Sequence, residues 1–254
     1  AGSNLDHMRD RALGAHNADM TTGAFGLFYQ WGRKDPFVGG GRDGLESDAA
    51  KPIYNAKGEV ISRRKIALEY SAQGSEVPNN LQLAIENPDA FIYYSSREDQ
   101  TFYDWITCVS SGQDNTLWGY ESSSNGFKTK YDPCPDGWRV PKQDAFSFRK
   151  KYKKSGSLTD SSPYDNTQPW YWDEVTDCGF IYHDSSDRYF NVPMSGRLEC
   201  KNGEVSGTGS GGDFWTIDPS GKYVSVALIA YGNPNSITGL NRSYGMSVRC
   251  VKNY

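Results

Sequence analysis

No stretch of this chain reaches the roughly 18 consecutive apolar residues of a membrane-spanning helix, and its first residues carry no charged-then-apolar leader, so a soluble domain with no membrane span is expected. Histidine is scarce, at three residues, and the five cysteines include no CxxC pair, which argues against a zinc site. His16 and His183 stand far apart, and no Ser or Cys occupies a nucleophile elbow or a cysteine-protease setting, so a hydrolytic triad has no support. Cations of the density that nucleic acid requires are also missing: the net charge is −4, and the one basic block, Arg149 to Lys154, is too short and isolated to track phosphates. Apolar residues make up 37% of the chain, below the usual 45–50% or so.

Within that fraction aromatics are prominent. With 17 Tyr, 11 Phe and 7 Trp the core must be rich in rings, while 27 Gly and 12 Pro punctuate the chain at the short intervals of strands and loops rather than long helices. At 254 residues, without a repeat or low-complexity linker, one continuous domain is the simplest organisation. The opening Ala1–Met8 reads as an expression scar, which leaves a domain over 9–254 with an inserted excursion near 39–80. Gly26–Gly32 predicts an aromatic strand, Asn79–Ile85 a helical turn broken by Asn87-Pro88, and Ala90–Tyr94 a strand. Lys142–Tyr152, with Ala145, Phe146, Arg149 and Tyr152 at helical spacing and Gly156 as a stop, predicts the main helix. Short strands are expected at Phe180–His183, Tyr189–Val192, Tyr223–Ala230 and Ser247–Val251.

Several constellations are weaker than they look. Asp173-Glu174 and Glu98-Asp99 are adjacent carboxylates, which rarely face one substrate together, so solvated loop charges are the better reading. Gly207, Gly209, Gly211 and Gly212 lack the strand-then-helix frame and the Lys-Ser or Lys-Thr of a phosphate cradle. Glu86-Asn87-Pro88-Asp89 has the order of a calcium-dependent sugar motif wrong, although oxygen ligands for calcium remain available in the Asp-rich loops. Cys108, Cys134, Cys178, Cys200 and Cys250 are widely spaced, as disulfide partners or as packed thiols, and an odd count leaves at least one unpaired.

Four strings are specific in combination: Met8-Arg9-Asp10-Arg11-Ala12-Leu13-Gly14-Ala15, Gly26 to Phe37 (GLFYQWGRKDPF), Tyr131 to Pro141 (YDPCPDGWRVP) and Ser247-Val248-Arg249-Cys250-Val251. Together they resemble the FISUMP family, the Fibrobacter succinogenes major paralogous domain, especially forms from fimbrial and surface proteins of gut Bacteroidales. The likeness runs from about Asp10 to Val251, with Ala12 where the family usually carries Asn. It implies an α+β, C-type-lectin-like fold of short antiparallel strands with one or two helices and long loops. It also implies extracellular placement at a cell surface or pilus tip, no catalysis and no obligatory cofactor. Partners would be a protein or glycan ligand on a host or bacterial surface, and other pilus subunits.

The resemblance also implies a Cys134–Cys250 disulfide, since both residues lie in the family strings, and Cys178 with Cys200 is the candidate second pair. Some relatives are diversified by retroelements on a C-terminal surface, which maps here to about Asp213–Ser247. Within it the expected ligand-binding residues are Thr216, Asp218, Lys222, Tyr223, Tyr231, Asn233, Asn235, Asn241, Ser243 and Tyr244, carried on strands with one face outward and on loops freed by Gly221, Gly232 and Gly239. Trp31, Trp138 and Trp215 are expected to be structural. The same fold hosts formylglycine-generating oxidases, which need two neighbouring reactive cysteines, but here Cys200 and Cys250 lie far apart. A structural pilus subunit polymerising by strand donation is the third reading.

Overall fold

The structure, a computed structural model, describes residues 8–15, 17–18, 22–38, 53–54, 57–61, 64–69, 80–96, 104–107, 113–124, 126–146, 170–172, 179–183, 189–220, 224–231 and 236–253. Over these residues it is sheet-rich, made mostly of short strands, and its one α-helix is brief. In chain order come β1 (Phe28–Gln30), β2 (Ile53–Tyr54), β3 (Val60–Ile61), β4 (Arg64–Glu69), α1 (Leu81–Glu86), β5 (Ala90–Ser96), β6 (Trp138–Arg139), β7 (Trp170–Trp172) and β8 (Gly179–His183). They are followed by β9 (Tyr189–Pro193), β10 (Arg197–Leu198), β11 (Val205–Ser206), β12 (Gly211–Pro219), β13 (Val224–Tyr231), β14 (Ser236–Asn241), β15 (Gly245–Ser247) and β16 (Val251–Lys252).

The aromatic string near Gly26, the turn before Asn87-Pro88 and the strand after it stand where the sequence puts them, as β1, α1 and β5. The expected helix over Lys142–Tyr152 is seen only at its start, where residues 143–146 wind as a tight 3-10 turn; 147–152 lie outside the described residues. Most of the 39–80 excursion also lies outside them, but β4 pairs in parallel with β5 from Arg64↔Ala90 onward and so ties the excursion to the frame.

The main sheet runs β11-β10-β15-β12-β13-β14, with β1 added along β15. β15 is its hinge: Phe28↔Ser247, Tyr29↔Met246 and Gln30↔Gly245 join it to β1, and Phe214↔Ser247 joins it in parallel to β12. Beside it β6 and β16 pair through Trp138↔Lys252 and Arg139↔Val251, and Met8 bridges to Val251, which brings three distant parts of the chain together. Cys134 and Cys250 form the disulfide that the resemblance implies, across 116 residues of sequence.

Tryptophans knit this frame. Trp31, Trp105, Trp118 and Trp215 are fully buried, and a buried indole N–H needs an acceptor. Trp31 donates to the Thr216 carbonyl at 2.9 Å and Trp215 returns the bond to the Tyr29 carbonyl at 2.9 Å, lacing β1 to β12. Trp105 donates to the Trp31 carbonyl at 2.7 Å, and Trp118 to those of Arg33 and Tyr131 at 3.2 and 3.1 Å. Alternate carbonyls of residues 29–33 are thus each taken by a tryptophan. Gln30, also buried, spends its amide on two distant segments: it donates to Ile92 and Ser243 carbonyls at 2.8 and 3.1 Å and accepts the Ile92 N–H at 3.2 Å. Trp138 is only half-buried, with the Arg9 guanidinium 4.5 Å from its ring centre.

Candidate functional site

The surface expected from the sequence is built on β12, β13 and β14. β12 and β13 pair antiparallel from Gly211↔Tyr231 to Pro219↔Ser225, and β13 and β14 from Ile229↔Ser236 to Val224↔Asn241. β13 and β14 are therefore an outward extension of the sheet, reached through β12.

The ten expected residues divide sharply. Thr216 is fully buried and its Oγ1 accepts the Asp218 N–H at 3.3 Å. Asp218, 6% exposed, accepts the Gln143 N–H at 2.6 Å, and burial pushes its carboxyl up. Ser243 is fully buried, under the Gln30 amide that its carbonyl receives. Thr216 and Ser243 present no surface to a ligand and Asp218 very little, so the three are assigned to the framework. The expectation assumed strands with one face outward, whereas β12 is covered on both faces from Gly211 to Asp218. Lys222, Tyr223, Asn233 and Asn235 lie outside the described residues, and Tyr231 stands at the end of β13 opposite Gly211.

The structure does bring Asn241 and Tyr244 together, both half-buried, around Cys200. Asn241 Nδ2 lies 4.0 Å from Cys200 Sγ, and the Tyr244 hydroxyl bonds to the same sulfur. Cys200 carries a free, buried thiol, so the expected bond to Cys178 is not formed; Cys178 itself and Cys108 lie outside the described residues. Burial pushes the Cys200 thiol up, the direction of a packed sulfur rather than a reactive one.

Behind these residues stands a polar cluster that the sequence did not reveal. Arg197, on β10, stacks 4.8 Å from the Tyr244 ring centre, reaches Asp213 Oδ2 at 3.2 Å and meets Glu199 Oε1 at 3.3 Å. Ser206 donates to the same Glu199 oxygen. Asp213 is 2% exposed, its Oδ1 receives no hydrogen bond, and burial pushes its carboxyl up to about 6. A charge inside an otherwise apolar strand, between Gly212 and Phe214, was the one signal available. A second buried pair sets Arg242 3.6 Å from Asp104 and 4.1 Å from the Trp31 ring centre; burial pushes Asp104 up to about 6.

The calcium-motif lookalike is accounted for internally. Asp89 is ion-paired with Arg64 at 2.5 Å, and Asn87 donates its side-chain N–H to Leu83. Among the described residues no group of three or more His, Cys, Asp or Glu could hold a metal. The glycine-rich stretch is a packed turn into β12: a Cβ on Gly212 would fall 2.3 Å from the Pro193 carbonyl oxygen. Asp173, Glu174, Glu98 and Asp99 lie outside the described residues. Among those described, no helix is long and apolar enough to cross a membrane. No family model matches the chain, and neither a curated protein nor a solved structure does.

Proposed function

We propose that the chain is an extracellular, non-enzymatic ligand-binding module on a C-type-lectin-like α+β frame of the FISUMP kind, carried by a bacterial surface or pilus-tip protein. The observation that carries the reading is the division of labour around β12. The tryptophan lacing, the Gln30 amide and the disulfide, which specify the frame, are all made by residues outside β13 and β14. β13 and β14 extend the sheet beyond β12. Ile237 and Leu240 of β14 pack back against the core, while the remaining positions there can vary without disturbing the frame, as a recognition surface requires. The raised Cys200 thiol supports a packing role for that residue rather than a nucleophilic one.

The binding residues of this reading are Lys222, Tyr223, Tyr231, Asn233 and Asn235, with Asn241 and Tyr244 at the margin of the frame. Tyrosine supplies broad amphipathic contact at small entropic cost, and asparagine adapts its hydrogen bonds to the partner. The ligand is a protein or glycan on a host or bacterial surface. An array of glycans and surface proteins, probed with the purified chain with and without calcium, tests this. A ligand whose binding survives alanine at all five of the first-named positions in a folded variant would remove the site from this surface.

A further inference from the structure

A cleft of about 320 Å³, none of whose lining residues belongs to β13 or β14, opens between the turn after β1, the helix α1 and the loop carrying Tyr131. Its walls are Leu81, Ala84 and Ile85 from α1, with Trp105 and Tyr131, and its rim carries Lys34 and Lys130. We propose that this cleft is a second binding site, for a small organic anion with an apolar body, of the aryl- or alkyl-carboxylate class.

Three observations select that chemistry. The wall is already committed: the Arg33 guanidinium is spent on Asp35 at 2.9 Å, on Gln30 Oε1 at 3.0 Å and on the Ala90 carbonyl at 2.7 Å. The Asp35 carboxylate is neutralised by that same bond, so neither group is left to read a ligand. The rim is not committed: Lys34 and Lys130 are exposed and make no ion pair with a described residue, while Lys130 stands 5.0 Å from the Tyr131 ring centre. Two cations beside the accessible Tyr131 ring and the Leu81 and Ile85 side chains, with Trp105 buried beneath them, complement one carboxylate on an apolar body. A neutral or acidic sugar fits less well, because its several hydroxyls would meet a floor whose polar groups are already bonded. Ile85, 53% exposed at the mouth, provides apolar surface that such a ligand would cover.

The test titrates the intact chain with 3-phenylpropionate, its uncharged analogue 3-phenylpropanol and galacturonate, following Trp105 and Tyr131 resonances by NMR. Phenylpropionate is expected to bind at least tenfold more tightly than either competitor. Lys34→Ala/Lys130→Ala, which changes only exposed side chains, should remove that preference while leaving the melting temperature and phenylpropanol binding unchanged. Ile85→Trp, which fills the mouth, should weaken both aryl ligands. Equal binding of alcohol and carboxylate, tighter binding of galacturonate, or shifts located away from the cleft would each overturn the proposal, as would no saturable binding at millimolar phenylpropionate. Alanine substitution across Lys222, Tyr223, Tyr231, Asn233 and Asn235 should not alter phenylpropionate binding, so failure of this proposal and failure of the adhesive reading are distinguishable.

Discussion

The frame is built on buried aromatic rings and the β13–β14 extension on aliphatic and small polar residues, and the two are held by different means. The frame fixes its rings by donating each indole N–H to a named carbonyl of a distant element, so composition and position are both specified. In β13 and β14 the shared quantity is backbone pairing, continuous from Val224↔Asn241 to Ile229↔Ser236, which any strand-compatible sequence can supply. The rings of the frame are therefore obligatory in burial, whereas β13 and β14 carry a single aromatic residue, Tyr231, at the end of β13.

Replacing Cys134 and Cys250 with Ala is expected to cost about 4–5 kcal/mol in the chain-entropy picture for so long a closed loop. Urea denaturation measures it, and a loss below about 1 kcal/mol would mean that the frame holds without its crosslink. Trp31→Ala or Trp215→Ala follows, at about 3–5 kcal/mol for the emptied volume. Gln30→Ala comes next, at about 1–3 kcal/mol, because it strands buried groups of Ile92 and Ser243.

A pH series sharpens the contrast. Asp104 and Asp213 keep their protons up to about 6 when folded, against 3.8 as the ordinary value. Between those values the folded chain holds protons that the unfolded chain has lost, so these groups favour the fold most at the acidic end and that contribution falls as pH rises to about 6. Asp104→Asn should flatten the melting-temperature profile over that window; an unchanged slope would assign the effect elsewhere. Smallest of all, alanine at Lys222, Tyr223, Tyr231, Asn233 and Asn235 together is expected to shift stability by no more than about 0.5 kcal/mol per site.

The frame was largely legible from sequence because its signals are local and chemical: ring-rich β1, the Asn87-Pro88 break before β5 and the two cysteines inside distinctive strings. The candidate surface was legible only in outline. Outward alternation was expected along the C-terminal strands, but β12 is central and buried on both faces, a fact of sheet order that no window of sequence records. The Arg197–Asp213–Tyr244 cluster escaped for the same reason, since its members come from β10, β12 and the turn before β15. The cleft escaped too, its rim being assembled from residues 34 and 130.

The antiparallel pairing of β1 with β15 also bears on how the molecule is made. Phe28 meets Ser247, so a strand near the beginning of the chain waits for one near its end, and closure over such a separation is entropically slow. During synthesis the β1 aromatics and the surface that receives Trp215 exist before their partners do, and a half-emerged chain exposes the rings most prone to self-association. Holding that nascent segment apart until residue 247 arrives is a kinetic task, and refolding yield should fall with protein concentration far more steeply than equilibrium stability does.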